Sequence, residues 1–270
     1  MTQVLGLAPE GLPLQQLGYL LAILAMAGFA SGLAGFGFSA VGAAAVWVLP
    51  PVSAIPLLMA LSIVNQAWSL GQLRKEALPL RQWWAEGPAP FIVAGAMGIP
   101  VGVWMLACMQ AATLNAAVGL VLLAYTLSTL QSRARAPTMT VHAWMPLAVG
   151  FVGGVIGGFS AFPGSAVVVW ASFIGVPRRR QRAIVQPYIL AMQLISLSIL
   201  CVVGGRNSSA GFLSAGFWTL FVIACPVVLV CTTLGVCAFR RVSDIDFKRI
   251  TMALLALSGS ALLVKGFFAL

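Results

Sequence analysis

The sequence predicts an all-α polytopic membrane protein made of two inverted repeats, each of five helical segments. Three observations carry that prediction. Of the 270 residues, 61% are hydrophobic and only 7% are charged, and the mean hydropathy of +1.03 lies far above that of soluble domains. The few charges bound long uncharged runs: Gly11 to Leu73, Gly87 to Ser132, Ala136 to Pro177, Ala183 to Gly205, Asn207 to Phe239 and Ile250 to Val264. Finally, a glycine pattern repeats. Gly28, Gly32 and Gly35 in "GFASGLAGFGFSA" return 122 residues later as Gly150, Gly154 and Gly157 in "GFVGGVIGGFSAFPGSA".

A membrane helix needs about 20 residues to cross the hydrocarbon, so the six runs hold about three, two, two, one, one and one segments. In order, the first repeat (1–135) is expected to place helices over 14–35, 39–49, 52–73, 88–109 and 113–131. The second repeat (136–270) is expected to place them over 143–158, 165–176, 182–203, 217–239 and 247–269. The fourth segments also correspond, "PVGVW" (Pro100 to Trp104) matching "TLGVC" (Thr233 to Cys237). The second helix of each repeat is short. The N-terminus has no basic residue ahead of its first apolar segment, so that segment is expected to be retained and not cleaved.

The distribution of Lys and Arg orients these segments. If each short helix returns the chain to the side it came from, thirteen of the fifteen basic residues share one face, in the loops around Arg74, Arg133, Arg178 and Arg240. Only Arg206 and Lys265 lie on the other. If each short helix merely completes the preceding crossing, the tally is eight against seven. The first arrangement is favoured. It gives each repeat an odd number of segments, which makes the repeats antiparallel in the membrane and puts both termini on the periplasmic side. Parity does not distinguish a re-entrant hairpin from two full crossings. The short second arms, at about 1.5 Å per residue, fall below the roughly 30 Å of hydrocarbon, which favours hairpins entering from opposite faces. Their glycine-rich tips would be "FGFS" (Phe36 to Ser39) and "FSAFPGS" (Phe159 to Ser165).

Unpaired peptide groups cost several kcal/mol each in lipid, so broken helices at depth survive only against protein or a water-filled cavity. The tips are therefore expected to face the centre. A second arm starting near Ser39 or Ser165 would offer its free N–H groups and the positive end of its dipole to an anion. Candidate substrate-binding residues are accordingly Phe36, Gly37, Phe38 and Ser39 at one tip and Phe159, Ser160, Phe162, Pro163, Gly164 and Ser165 at the other. Close helix packing is the competing explanation for the glycines, and the favoured one for Gly28, Gly32, Gly150 and Gly154, four residues apart on one face. Intramembrane amides add Asn65, Gln66 and Gln193, whose N–H donors complement oxyanions or bond neighbouring helices.

Other chemistries find little support. The net charge of +10 follows from basic loops on one side of a membrane, so no nucleic-acid partner is expected. The five cysteines lie in apolar segments without CxxC spacing, which points to packing and to no metal site. Glu10, Glu76, Glu86, Asp244 and Asp246 fall in loops or at helix ends, and the single histidine, His142, precedes the sixth segment. Neither a proton relay nor a nucleophile with its base is visible within the membrane, so an enzyme is not expected and no cofactor is called for. "RRRQR" (Arg178 to Arg182) reads as a topological anchor, with an anion-concentrating funnel as the alternative.

The glycine-rich first helix with its short successor, "LPPVSAIP" (Leu49 to Pro56) and "GVPRRRQRAI" (Gly175 to Ile184) together resemble the TauE/SafE sulfite exporter family, also called the toluene sulfonate uptake permeases. The resemblance runs along nearly the whole chain. It implies a bacterial inner-membrane transporter of sulfite, sulfoacetate or another organosulfur anion, working in export or uptake. Its partners would be that small anion and the bilayer, with a homo-oligomer left open.

Overall fold

The structure, a computed structural model, describes residues 13–73, 79–108, 111–131, 142–160, 162–204 and 215–267. Glu10, Arg74, Lys75, Glu76, Arg133, Arg135 and Arg206 lie outside the described residues. Apolar sequence that must satisfy its own peptide groups coils into helices. Ten are described: α1 (Leu14–Ala34), α2 (Phe38–Gly42), α3 (Pro51–Gln72), α4 (Ala89–Cys108), α5 (Ala111–Gln131), α6 (Met145–Ser160), α7 (Gly164–Phe173), α8 (Arg178–Gly204), α9 (Ala215–Arg241) and α10 (Asp244–Phe267). A 3-10 turn, Ala43–Trp47, continues α2. No strand occurs among the described residues.

Five of these, Leu14–Ala34, Ser53–Gln72, Arg178–Leu200, Gly216–Arg241 and Asp244–Val264, are long and apolar enough to cross a membrane. By contrast α7 has 10 residues, roughly 15 Å at about 1.5 Å per residue, or half the roughly 30 Å hydrocarbon. Each expected segment has its helix, but two begin three or four residues earlier than expected. α10 starts at Asp244 because Ser243 caps it: its hydroxyl donates to Asp246 Oδ2 at 2.7 Å and accepts from the Asp246 N–H at 3.2 Å, a side-chain cap that anchors the first turn. α8 starts at Arg178, just past Gly175 at φ 72 and Pro177, so the arginine run is helical. The Arg178 guanidinium donates to the carbonyls of Phe239 and Val242 and pairs with Asp244 at 2.8 Å, tying α8 to the α9–α10 turn.

In lipid, helices associate through close packing, since hydrocarbon offers no hydrophobic drive between them. The glycines supply that closeness. α1 lies along α9, α4 along α6 and α5 along α10. A Cβ on Gly28 would come within 2.9 Å of the Val228 carbonyl oxygen, one on Gly32 would strike that of Thr232, and one on Gly235 that of Phe29. Between α4 and α6, Gly98, Gly102, Gly150 and Gly154 each face a backbone carbonyl in the same way, and Gly119 and Gly259 face each other between α5 and α10. The packing role expected for Gly28, Gly32, Gly150 and Gly154 is thus seen directly.

Two apolar clusters flank the centre. One gathers Leu20, Leu24, Leu57, Leu61, Phe217 and Val228 around Phe38 and Ala45 of the first short arm. The other gathers Phe91, Ile99, Val185, Tyr188 and Met192 around Val167 and Val168 of α7. Each short helix is therefore buried on protein, which satisfies the constraint on broken backbone at depth.

Candidate functional site

Both helix breaks line one small cavity. Phe36, Gly37, Phe38, Ser39 and Ala40 come from the first break and Phe162, Pro163, Gly164 and Ser165 from the second. Ser62 and Gln66 of α3, Ile189 of α8, and Leu255 and Ser258 of α10 complete the wall. The first break is made by glycine. Gly35, at φ 82, ends α1 in the left-handed conformation and donates its N–H to Ser31 O at 2.7 Å, and Gly37, at φ 93, opens α2. Residues with a Cβ avoid that region. The second break is made by proline: Pro163 lacks an N–H, and α7 starts at the next residue. Space there is also tight, since a Cβ on Gly157 would lie 2.8 Å from Pro163 Cβ and one on Gly164 2.6 Å from Ile189 Cδ1.

The chemistry of the wall is that of neutral donors around an apolar lining. Gly164 and Ser165 form the first turn of α7, where a helix has backbone N–H groups without intrahelical partners. The Ser165 N–H approaches Phe162 O at only 3.4 Å, and its hydroxyl donates to the same oxygen at 3.1 Å. Gln66 donates from Nε2 to Gly35 O at 3.4 Å, while its Oε1 and the Ser62 hydroxyl, both buried, have no partner among the described residues. Among the described residues, no charged side chain lines the cavity.

The candidates separate on this geometry. Phe36, Gly37, Phe38, Ser39, Gln66, Phe162, Pro163, Gly164 and Ser165 meet at the cavity. The backbones of Phe159 and Ser160 close α6, and their side chains lie outside the described set. Asn65 is one residue away from Gln66 but turned elsewhere: it donates to Ser31 Oγ at 2.7 Å and accepts from Thr232 Oγ1, joining α3 to α1 and α9. Gln193 is buried without lining the cavity, and neither end of its amide has a partner among the described residues.

Arg182, Ser62 and Ser258 were not among the binding residues expected from the sequence. Arg182, read from the sequence as part of a topological anchor or an anion-concentrating funnel, is 2% exposed. Its guanidinium donates to Leu33 O at 3.2 Å and Ser69 Oγ at 2.9 Å and lies 4.4 Å from the Phe239 ring centre. Gln186 Nε2 donates to the same Ser69 oxygen at 2.8 Å. The legible signal was helical spacing: Arg182, Gln186, Ile189 and Gln193 recur at steps of four, three and four, one face of α8. Ser62 is likewise one turn from Gln66 on α3. Nothing in the sequence pointed to Ser258.

Residues 20–262 match the family model described as Sulfite exporter TauE/SafE. No curated protein and no solved structure matches the chain.

Proposed function

The chain belongs to the TauE/SafE sulfite exporter family, and we propose that it carries a small oxyanion, sulfite or an organosulfonate such as sulfoacetate, bound between its two helix breaks. A member of this family is a membrane transporter and not an enzyme. The observation that carries the proposal is the shared cavity: residues 36–40 and 162–165, far apart in the chain, line one space beside the N-terminal turn of α7. A tetrahedral or pyramidal oxyanion presents several acceptors in a small volume, which suits convergent backbone N–H groups, the Gln66 amide and the Ser62, Ser165 and Ser258 hydroxyls. The phenyl rings of Phe36, Phe38 and Phe162 would keep water out of that space.

The pairing of the helices supports the inverted-repeat reading. Exchanging the halves (α1 with α6, α4 with α9, α5 with α10) turns the α1–α9 contact into α6–α4 and returns α5–α10 to itself. In such a repeat the breaks meet near the bilayer midplane, with the Arg178 and Arg240 face cytoplasmic and both termini periplasmic in a bacterial inner membrane. Purified protein in liposomes, offered sulfite, sulfonates and carboxylates under imposed proton and sodium gradients, tests the function. Protein-dependent flux of sulfite or a sulfonate is expected. Flux of carboxylates alone would reassign the substrate, and no flux of any anion would leave a non-transporting assembly subunit as the reading.

A further inference from the structure

We infer that Arg182, with Ser69 and Gln186, forms a second oxyanion site between the basic face and the cavity, and that this site latches the route shut when empty. The inference rests on the anion-transport reading above. Position comes first. Along α8 the arginine run begins at Arg178 and the cavity is reached at Ile189, and Arg182 lies between them, seven residues or roughly 10 Å before Ile189. Along α3 the cavity residue Gln66 is three residues from Ser69, roughly 4.5 Å of rise. The Arg182–Ser69 bond at 2.9 Å therefore bridges α8 and α3 within about two turns of the cavity on its basic side.

The latch is visible in the bonds. One terminal nitrogen of the guanidinium holds Leu33 O in the last turn of α1, the other holds Ser69, and Cζ lies 4.4 Å from the ring centre of Phe239 of α9. Four helices are joined at one side chain. Gly35 touches the same stem, since a Cβ there would come 2.8 Å from Arg182 Cγ, and its carbonyl accepts from Gln66. The bond network thus runs from Arg182 through the α1 terminus to an amide that lines the cavity. The negative end of the α1 dipole favours a cation at this place. It is nevertheless a partial charge, and an oxyanion offering two oxygens to the planar fork replaces Leu33 O and Ser69 with stronger, charge-assisted bonds. Release of Leu33 frees the first break to move, while Gln186 and Ser69 keep neutral donors beside the anion.

Sulfite flux into proteoliposomes, resolved into KM and maximal rate per correctly inserted protein, tests the site together with melting temperature in detergent. Arg182→Lys keeps the charge but loses the fork, and KM is expected to rise at least about tenfold. Arg182→Gln is expected to raise it further or abolish flux. Arg249→Gln, which removes an exposed charge that bonds neither Ser69, Gln186 nor the α1 terminus, is expected to leave KM unchanged. If the Arg182 variants keep the parent KM, even with a lowered melting temperature, the residue is only a structural tie and the inference fails while transport stands. Should those variants not fold, Ser69→Ala leaves Arg182 in place and removes the hydroxyl that seats it: a KM about threefold to fivefold higher supports the site, and an unchanged KM overturns it. A parent protein that carries neither sulfite nor sulfonate overturns both readings.

Discussion

A negative charge placed at Ser165 should abolish anion binding if the two breaks form the site. Ser165 is 6% exposed, sits in the first turn of α7 and lines the cavity together with Ser39. An aspartate there would put a fixed carboxylate about 4 Å from a bound anion, and repulsion at an effective dielectric near 20 is about 4 kcal/mol. At about 1.4 kcal/mol per decade this is roughly a thousandfold loss of affinity. Ser165→Ala removes one hydrogen bond, to Phe162 O at 3.1 Å, and is expected to cost about 1 kcal/mol. Ser165→Asn matches the aspartate in size without its charge and should fall between the two. Ser39→Asp should act like Ser165→Asp. Leucine at Gly37 is a poorer probe, because φ 93 would add about 1–2 kcal/mol of backbone strain to any effect on binding. Sulfite titration by calorimetry on purified protein, with melting curves to establish folding, decides the matter. If Ser165→Asp and Ser39→Asp bind sulfite as tightly as the parent, the breaks do not form the site.

Other outcomes follow from the same packing. Gly154→Ala drives a methyl into the Gly95 carbonyl across the α4–α6 contact and should lower the melting temperature sharply, whereas Gly18→Ala meets nothing within 4 Å and should be neutral or stabilising by up to about 1 kcal/mol. Equal melting temperatures would dismiss the close-packing role. Asn65→Leu loses bonds to Ser31 and Thr232, each worth roughly 0.6 to 2 kcal/mol in a membrane, so stability should fall while the sulfite dissociation constant stays put. A weakened affinity with unchanged stability would return Asn65 to the binding site. Reporter fusions to the C-terminus should read as periplasmic, and a cytoplasmic signal would defeat the inverted-repeat topology.

What was legible in the sequence was whatever a membrane forces on composition. Uncharged runs gave ten helices with correct order because peptide groups in lipid have no other partner. The breaks were legible because Gly35, Gly37 and Pro163 are costly inside helices, and a cost repeated at matching places calls for a reason. Helix starts were less so. α10 begins three residues before the expected 247 because the Ser243 hydroxyl caps the Asp246 N–H, and charged residues beside a run were read as loop.

Arg182 was hidden by its neighbours. A run of basic residues ordinarily marks a solvated face, and for Arg179 and Arg180 it does. Yet a helix turns about 100° per residue, so four consecutive positions cannot share one environment once the run is helical. Arg178 and Arg182, one turn apart, face inward and reach carbonyls of other helices at 3.1 and 3.2 Å. The deciding fact was that α8 starts at Arg178 and not at 182, because Gly175 and Pro177 end the preceding segment. Charge counting alone gives the side of the membrane, whereas the phase of the helix decides which of those charges enters the protein. Here it selects the one whose guanidinium reaches the end of α1, two residues before the glycine that breaks it.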